Sequence, residues 1–231
     1  MNSIRPITFV EAPRAASATF AVAALAVAFL GFTQAGAALR DGSARSVLAR
    51  AEAMPRGMER DAALAQAIIV IDDAVKAAPQ NSGVHARAAR AYYLQATTAA
   101  VDDVSAPLLG AARRAAEESL KHSPANASAA AMSALVDIAE GGVVTPGAVD
   151  AVARSYAVPA TAEGVRWRFD AAMRAWPALS LPLQRQVIVD ACMQADADRA
   201  FAAHLADVAA RLPDSGLGQC GAPEAASDAA P

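Results

Sequence analysis

Residues 76–93 read KAAPQNSGVHARAARAYY, and residues 121–138 read KHSPANASAAAMSALVDI. Each segment opens on a lysine that closes one helical stretch, places a proline three positions later, turns through an asparagine and enters a new alanine-rich run. A cation is favoured at a helix C-terminus and a proline just beyond it cannot continue the helix, so both segments spell helix, turn, helix. Pro79 and Pro124 lie 45 residues apart. Self-similarity at such a period marks an array of helical units, each burying its face against the next.

Working outward, Leu64, Ile68, Ile71 and Val75 recur at i, i+4, i+7 and i+11 and predict a helix over 60–78 that stops at Pro79. Two further apolar stripes are Val165, Phe169, Ala172, Met173 and Trp176, and Phe201, Leu205, Val208 and Leu212. Thr161 and Ser180 stand where helix N-caps belong, and Pro182 follows in a first turn, where its missing N–H does no harm. Residues 141–159 read as a turn, a short helix and a second turn. No stretch alternates as a strand would. With 55% hydrophobic but only 5% aromatic residues, the core depends on alanine letting backbones approach closely, and alanine favours helix over strand. The expected fold is all-α: antiparallel helix pairs stacked as a short solenoid, preceded by an N-terminal hydrophobic helix.

The repeat resembles the tetratricopeptide-repeat family. In 89–96, ARAYYLQA, Ala89 takes the small position of a first helix and Tyr92 the aromatic one. Ala67, Ile71, Ala74 and Pro79 match the second-helix pattern, and Ala112, Ala116, Ser119 and Pro124 repeat it with Ala116 in place of the large residue. The period exceeds that family's usual length of about 34 residues, which places a long loop at 97–110 (TTAAVDDVSAPLLG), and Asp137 stands where an aromatic would recur. The resemblance covers 62–140 and implies a stacked helical scaffold used for protein–protein interaction, with 161–212 as a further layer or cap.

At the start of the chain, residues 15–39 carry no charge. A helix needs about 20 residues to cross the hydrocarbon core, so this segment is long enough to span. Ala35-Gly36-Ala37 also fits a signal-peptidase site, but the apolar run exceeds the roughly 7–15 residues usual in a cleaved leader. We therefore expect an uncleaved anchor over 1–40, with cleavage near Ala37 as the alternative, a helical domain over 41–212 and a disordered tail over 213–231. Arg5 and Arg14 precede the span while Arg40, Arg45 and Arg50 follow it, so charge bias gives no orientation. The expected location is the bacterial inner membrane with the helical domain in the periplasm.

A chemical centre is hard to find. His85, His122 and His204 are far apart and lack partners at ligand spacing, so neither a metal nor a cofactor is expected. Asp72-Asp73 and Glu117-Glu118 are neighbours that diverge on a helix, and Asp102-Asp103 falls in the expected loop. Cys192 and Cys220 are too few for a disulfide framework; one bond between them is open in an oxidising compartment, with the flexible-looking setting of Cys220 weighing against it. The net charge of −3, with no basic run, speaks against nucleic acid. The most distinctive stretch is 164–176, GVRWRFDAAMRAW, where Trp167 with Arg166, Arg168 and Arg174 would anchor a peptide or an anionic glycan if exposed. Tyr92 and Tyr93 complete the candidate contact set. The expected role is a non-catalytic interaction module on the cell envelope with a protein partner there. An enzyme or accessory factor acting on an envelope polymer is the alternative.

Overall fold

A computed structural model describes residues 34–99 and 102–220, without the side chains of Asp102 and Asp103. The described residues form helices and turns with no strand. Helix α1 occupies 34–53. It is followed by α2 (Met58–Ala77), α3 (Ser82–Thr98), α4 (Asp102–His122), α5 (Ala127–Gly141) and α6 (Pro146–Tyr156). Next come α7 (Ala162–Ala175), α8 (Leu181–Ala197) and α9 (Arg199–Arg211), and two short 3-10 turns follow at Pro213–Ser215 and Leu217–Gln219.

The two echoed segments fold alike. Asn81 Oδ1 accepts from the N–H groups of Gly83 (2.9 Å) and Val84 (3.3 Å), capping α3. Asn126 Oδ1 accepts from Ala129 N–H (3.1 Å), capping α5. Each satisfies a donor that the first helical turn leaves without an intrahelical partner. Ser119, one of the repeat positions, joins the two turns: its Oγ donates to the Ser82 carbonyl (2.7 Å) and accepts from Asn126 Nδ2 (3.1 Å). The expected cap at Thr161 forms, with Oγ1 accepting from Gly164 N–H at 3.1 Å, whereas Ser180 takes the N-cap position of α8 without a side-chain bond.

From α2 to α9 sequence-adjacent helices pack together, α3 also packs on α5, and α5 on α7. Helix α4 therefore bridges α3 and α5, and α6 bridges α5 and α7. The contacts are made by small residues. Ala67, Ala89, Ala112, Ala116, Ala129, Ala131, Ala134, Ala171 and Ala172 are all fully buried. Helix α1 joins this core through Ala44, Leu48 and Ala51, spaced i, i+4, i+7. At the α5–α7 crossing, a Cβ placed on Gly164 would collide with Ser128 Oγ. Gly164→Ala should therefore destabilise the fold by about 1–3 kcal/mol in urea unfolding despite its helix-propensity gain, and Ser128→Ala in the same chain should remove most of that loss. Equal losses in both backgrounds would show that the crossing is not tight.

Three expectations need correction. The loop placed at 97–110 is largely helix: α3 runs to Thr98 and α4 begins at Asp102, with Pro107 inside it as the sixth residue, where it withholds one i→i−4 hydrogen bond from the helix. The acid pair at Asp102-Asp103 therefore opens a helix. Residues 213–220 are not the beginning of a disordered tail. Leu217 is buried, Ser215 Oγ donates to the Leu212 carbonyl (2.6 Å), and Gly216 turns the chain at φ 77°. Cys220 also pairs with Cys192, so the composition of this segment misled on both points.

The leader or anchor expected at the start lies outside the described residues up to position 33. Among those described, no helix is long and apolar enough to cross a membrane.

Candidate functional site

A groove with a volume of about 710 Å3 opens on the side of the molecule where α1, α2, α3, α5, α7 and α9 contribute side chains. Its floor is aliphatic, with Leu94, Leu135, Met173, Val208 and Leu212. Its walls carry six arginines, Arg56, Arg60, Arg90, Arg166, Arg174 and Arg211, against two carboxylates, Glu52 and Asp170. The whole chain has the opposite balance, with 20 basic and 23 acidic residues. The expectation of no basic cluster fails here, because folding gathers arginines from four separate helices, α2, α3, α7 and α9, and from the α1–α2 connection.

The two acids are already engaged. Arg90, 5% exposed, donates from Nε to Glu52 Oε1 (2.9 Å) and from Nη2 to Asp170 Oδ2 (3.0 Å), tying α3 to α1 and α7. Its guanidinium also lies 5.7 Å from the centre of the Trp167 ring. Burial opposes the charge of Arg90, but the two carboxylates outweigh it and its pKa stands above the ordinary arginine value. His204 Nε2 donates to Asp170 Oδ1 at 3.2 Å. Burial would raise the Asp170 pKa, yet the bonds from His204 and Arg90 prevail and hold it below the usual carboxylate range. Arg211 pairs with Asp207 at 2.7 Å. Among the described residues, Arg56, Arg60, Arg166 and Arg174 have no acidic partner. These four guanidiniums on an apolar floor are free to meet carboxylates from outside.

The sequence-selected residues divide between groove and frame. Arg166 and Arg174 line the groove, Arg174 lying over the Tyr93 ring at 5.8 Å. Trp167 is not an exposed anchor: it is 2% exposed and packs beneath Arg90. Its face looks distinct from the Val165/Phe169 stripe on a helical wheel, but α7 is covered by neighbours on both faces. Arg168 is also buried. It forms a two-pronged pair with Asp190, donates to the Val158 carbonyl (3.3 Å) and lies over the Tyr156 ring, which makes it part of the α7–α8 frame. Tyr92 is not among the groove's lining residues and donates to Asp72 Oδ1 at 2.8 Å, whereas Tyr93, though only 3% exposed, lines the groove. Of the acid pairs, Asp73 meets Lys76, Glu118 meets Lys121 and His122, Glu117 is exposed, and Asp72 accepts from Tyr92 across α2 and α3. Among the described residues no three His, Cys, Asp or Glu side chains converge to hold a metal.

Sequence reasoning missed Arg56, Arg60, Arg90 and Arg211. Arg60 carried a readable signal. It lies in the first turn of α2, where the helix dipole disfavours a cation, and its Nε is buried without a partner among the described residues.

The chain's three tyrosines give a test of this packing. Burial, reinforced by Asp72, pushes Tyr92 up to about 12, and burial raises Tyr93 and Tyr156 as well. A tyrosine whose folded pKa is raised stabilises the fold below its unfolded value of about 10, and that contribution is lost as pH climbs from there to the folded value. Alkaline titration followed by phenolate absorbance should show no ordinary tyrosine, with ionisation and unfolding rising together. A normally titrating phenol in folded protein would contradict the buried placement.

No protein-family model matches the chain, and neither a curated protein nor a solved structure matches it.

Proposed function

We propose that this chain is a non-catalytic interaction module that holds a protein partner in its arginine-lined groove and is tethered to the bacterial cell envelope. One observation carries the reading: four unpaired guanidiniums stand on an aliphatic floor, backed by a frame whose own charges are already matched. Such a surface suits a partner segment that presents carboxylates together with apolar side chains. Single-stranded nucleic acid, by contrast, is held by stacking bases on accessible aromatics, and the aromatic rings nearest this groove, Tyr93 and Trp167, are buried.

The helix contacts α3–α5 and α5–α7, with α4 and α6 bridging them, support a short tetratricopeptide-like stack whose first helices line the groove. The uncharged run over 15–39 supports a membrane tether, and the Cys192–Cys220 pair favours an oxidising compartment for the domain. Cleavage near Ala37 would leave the buried residues of α1 in place and release the same module as a periplasmic protein.

Photo-crosslinking in cells that make the protein tests the groove. A crosslinker at Thr97, on the groove, should capture a discrete polypeptide that one at exposed Ile69 does not, and Arg166→Glu with Arg174→Glu should abolish the adduct. An adduct that survives the charge reversal would overturn the reading. Carbonate extraction and the mature N-terminal residue separate anchor from leader.

A further inference from the structure

A second cavity, of about 480 Å3, lies where α3, α5, α7 and α9 all begin, and its wall includes Gly83, Asn126, Ala162 and Asp198 from those four starts. Helix N-termini present unpaired N–H groups and the positive end of the helix dipole. Helix starts alone make no site, but here the side chains add an independent imbalance between donors and acceptors.

Each carboxylate in the wall is already engaged. Glu52 accepts from Arg90 at 2.9 Å and Glu163 from Arg87 at 3.4 Å. Asp198 caps α9, accepting from the N–H groups of Ala200 (2.9 Å) and Phe201 (3.3 Å). The donors are not used up. Arg166 has no acidic partner among the described residues. Two wall residues that are almost wholly buried, Trp167 at 2% and Arg87 at 5% exposure, each keep a nitrogen with no partner there: the indole Nε1 and the guanidinium Nε. Buried donors are nearly always satisfied, and one left bare costs about 1–3 kcal/mol. Beside these donors lie apolar surfaces from Ala49, Ala86 and Phe201. The volume falls within the range of small-molecule sites.

We propose that this cavity binds a small organic carboxylate, its anionic head held by Arg166 and the Trp167 indole N–H and its hydrocarbon body against Ala86 and Phe201. The cavity adjoins the partner groove and shares Glu52 and Arg166 with it, but Trp167 lines this cavity and not the groove, so a change at Trp167 tests the cavity without removing a groove side chain. A ligand of this kind supplies acceptors to the unused donors and leaves the existing pairs intact. A cation would meet no free carboxylate, and a neutral apolar molecule would leave the donors bare.

Isothermal titration calorimetry of the full chain with phenylpropionate tests this, with phenylpropanol (the same body without charge), phenylpropylamine (the opposite charge) and acetate (the charge without the body) as comparators. Phenylpropionate should bind at least about tenfold more tightly than each, as a charge-assisted bond implies. Trp167→Phe keeps an aromatic body but removes the N–H, and should weaken phenylpropionate about tenfold without changing far-ultraviolet circular dichroism. Arg166→Gln, at a partly exposed position, should do the same. Equal binding of the alcohol and the acid, undiminished binding by folded Trp167→Phe, or no binding of phenylpropionate would each overturn the proposal.

Discussion

Replacing Arg90 by alanine should lower the free energy of unfolding by about 3–5 kcal/mol, the range found when one partner of a buried ion pair is removed. Arg90 is nearly inaccessible and answers two carboxylates on two other helices, Glu52 of α1 and Asp170 of α7. Without it, both acids lose their main counter-charge in a partly buried setting, and the Trp167 ring loses the cation above it. The triple variant Arg90→Met, Glu52→Gln, Asp170→Asn removes the charges together and should recover most of the loss, because the damage lies in uncompensated charge more than in missing attraction. The change also moves the acid limb. Asp170 has a depressed pKa in the folded chain, so its contribution is complete above the unfolded carboxylate value and disappears as pH falls through the lower folded one. Removing Arg90 raises the folded pKa, so acid unfolding should begin at a higher pH. A loss below about 1 kcal/mol in urea titration, the scale of an exposed pair, would show that solvent already screens this cluster.

Arg90 also shows what the sequence could and could not reveal. The helices were legible because their signals are local: the Lys76 and Lys121 stops, the Asn81 and Asn126 turns and the Leu64–Val75 stripe need only neighbours a few residues away. Alanine at 67, 89, 112 and 116 could be read as core because small residues at helical spacing have few other uses in such a chain. The groove was hidden because its arginines are drawn from positions 56, 60, 90, 166, 174 and 211, and no window of the sequence contains more than a pair of them. In a chain where nearly every cation is arginine, each one also resembles an ordinary surface residue. Burial was the harder question. Trp167 and Arg168 look like a contact patch in one dimension, yet α7 packs against α5, α6 and α8, so its faces were decided by tertiary packing that the helix's own periodicity does not show.

The C-terminal segment was misread for a related reason, and it carries the second large effect. Reducing the Cys192–Cys220 bond, or replacing either cysteine by serine, should lower stability by about 3–4 kcal/mol, the loop-closure entropy for its 28-residue separation. The bond ties α8 to the turns that follow α9. There the noncovalent holds are few: buried Leu217, the Ser215 hydroxyl on the Leu212 carbonyl, and Leu217 N–H on Ser215 Oγ at 3.3 Å. Composition rich in glycine and proline describes a chain with little intrinsic order, and a covalent closure supplies order that composition does not register. Because the cross-link acts mainly by restricting the unfolded chain, reduction should shift the urea midpoint downward and steepen the transition slightly as more surface becomes exposed on unfolding. The two single serine variants and the double variant should coincide, since each removes the same bond. Thiol titration of native protein should find no free cysteine before reduction. An unchanged midpoint after complete reduction would mean that 213–220 holds its place through packing alone, and would remove the disulfide's support for an oxidising compartment.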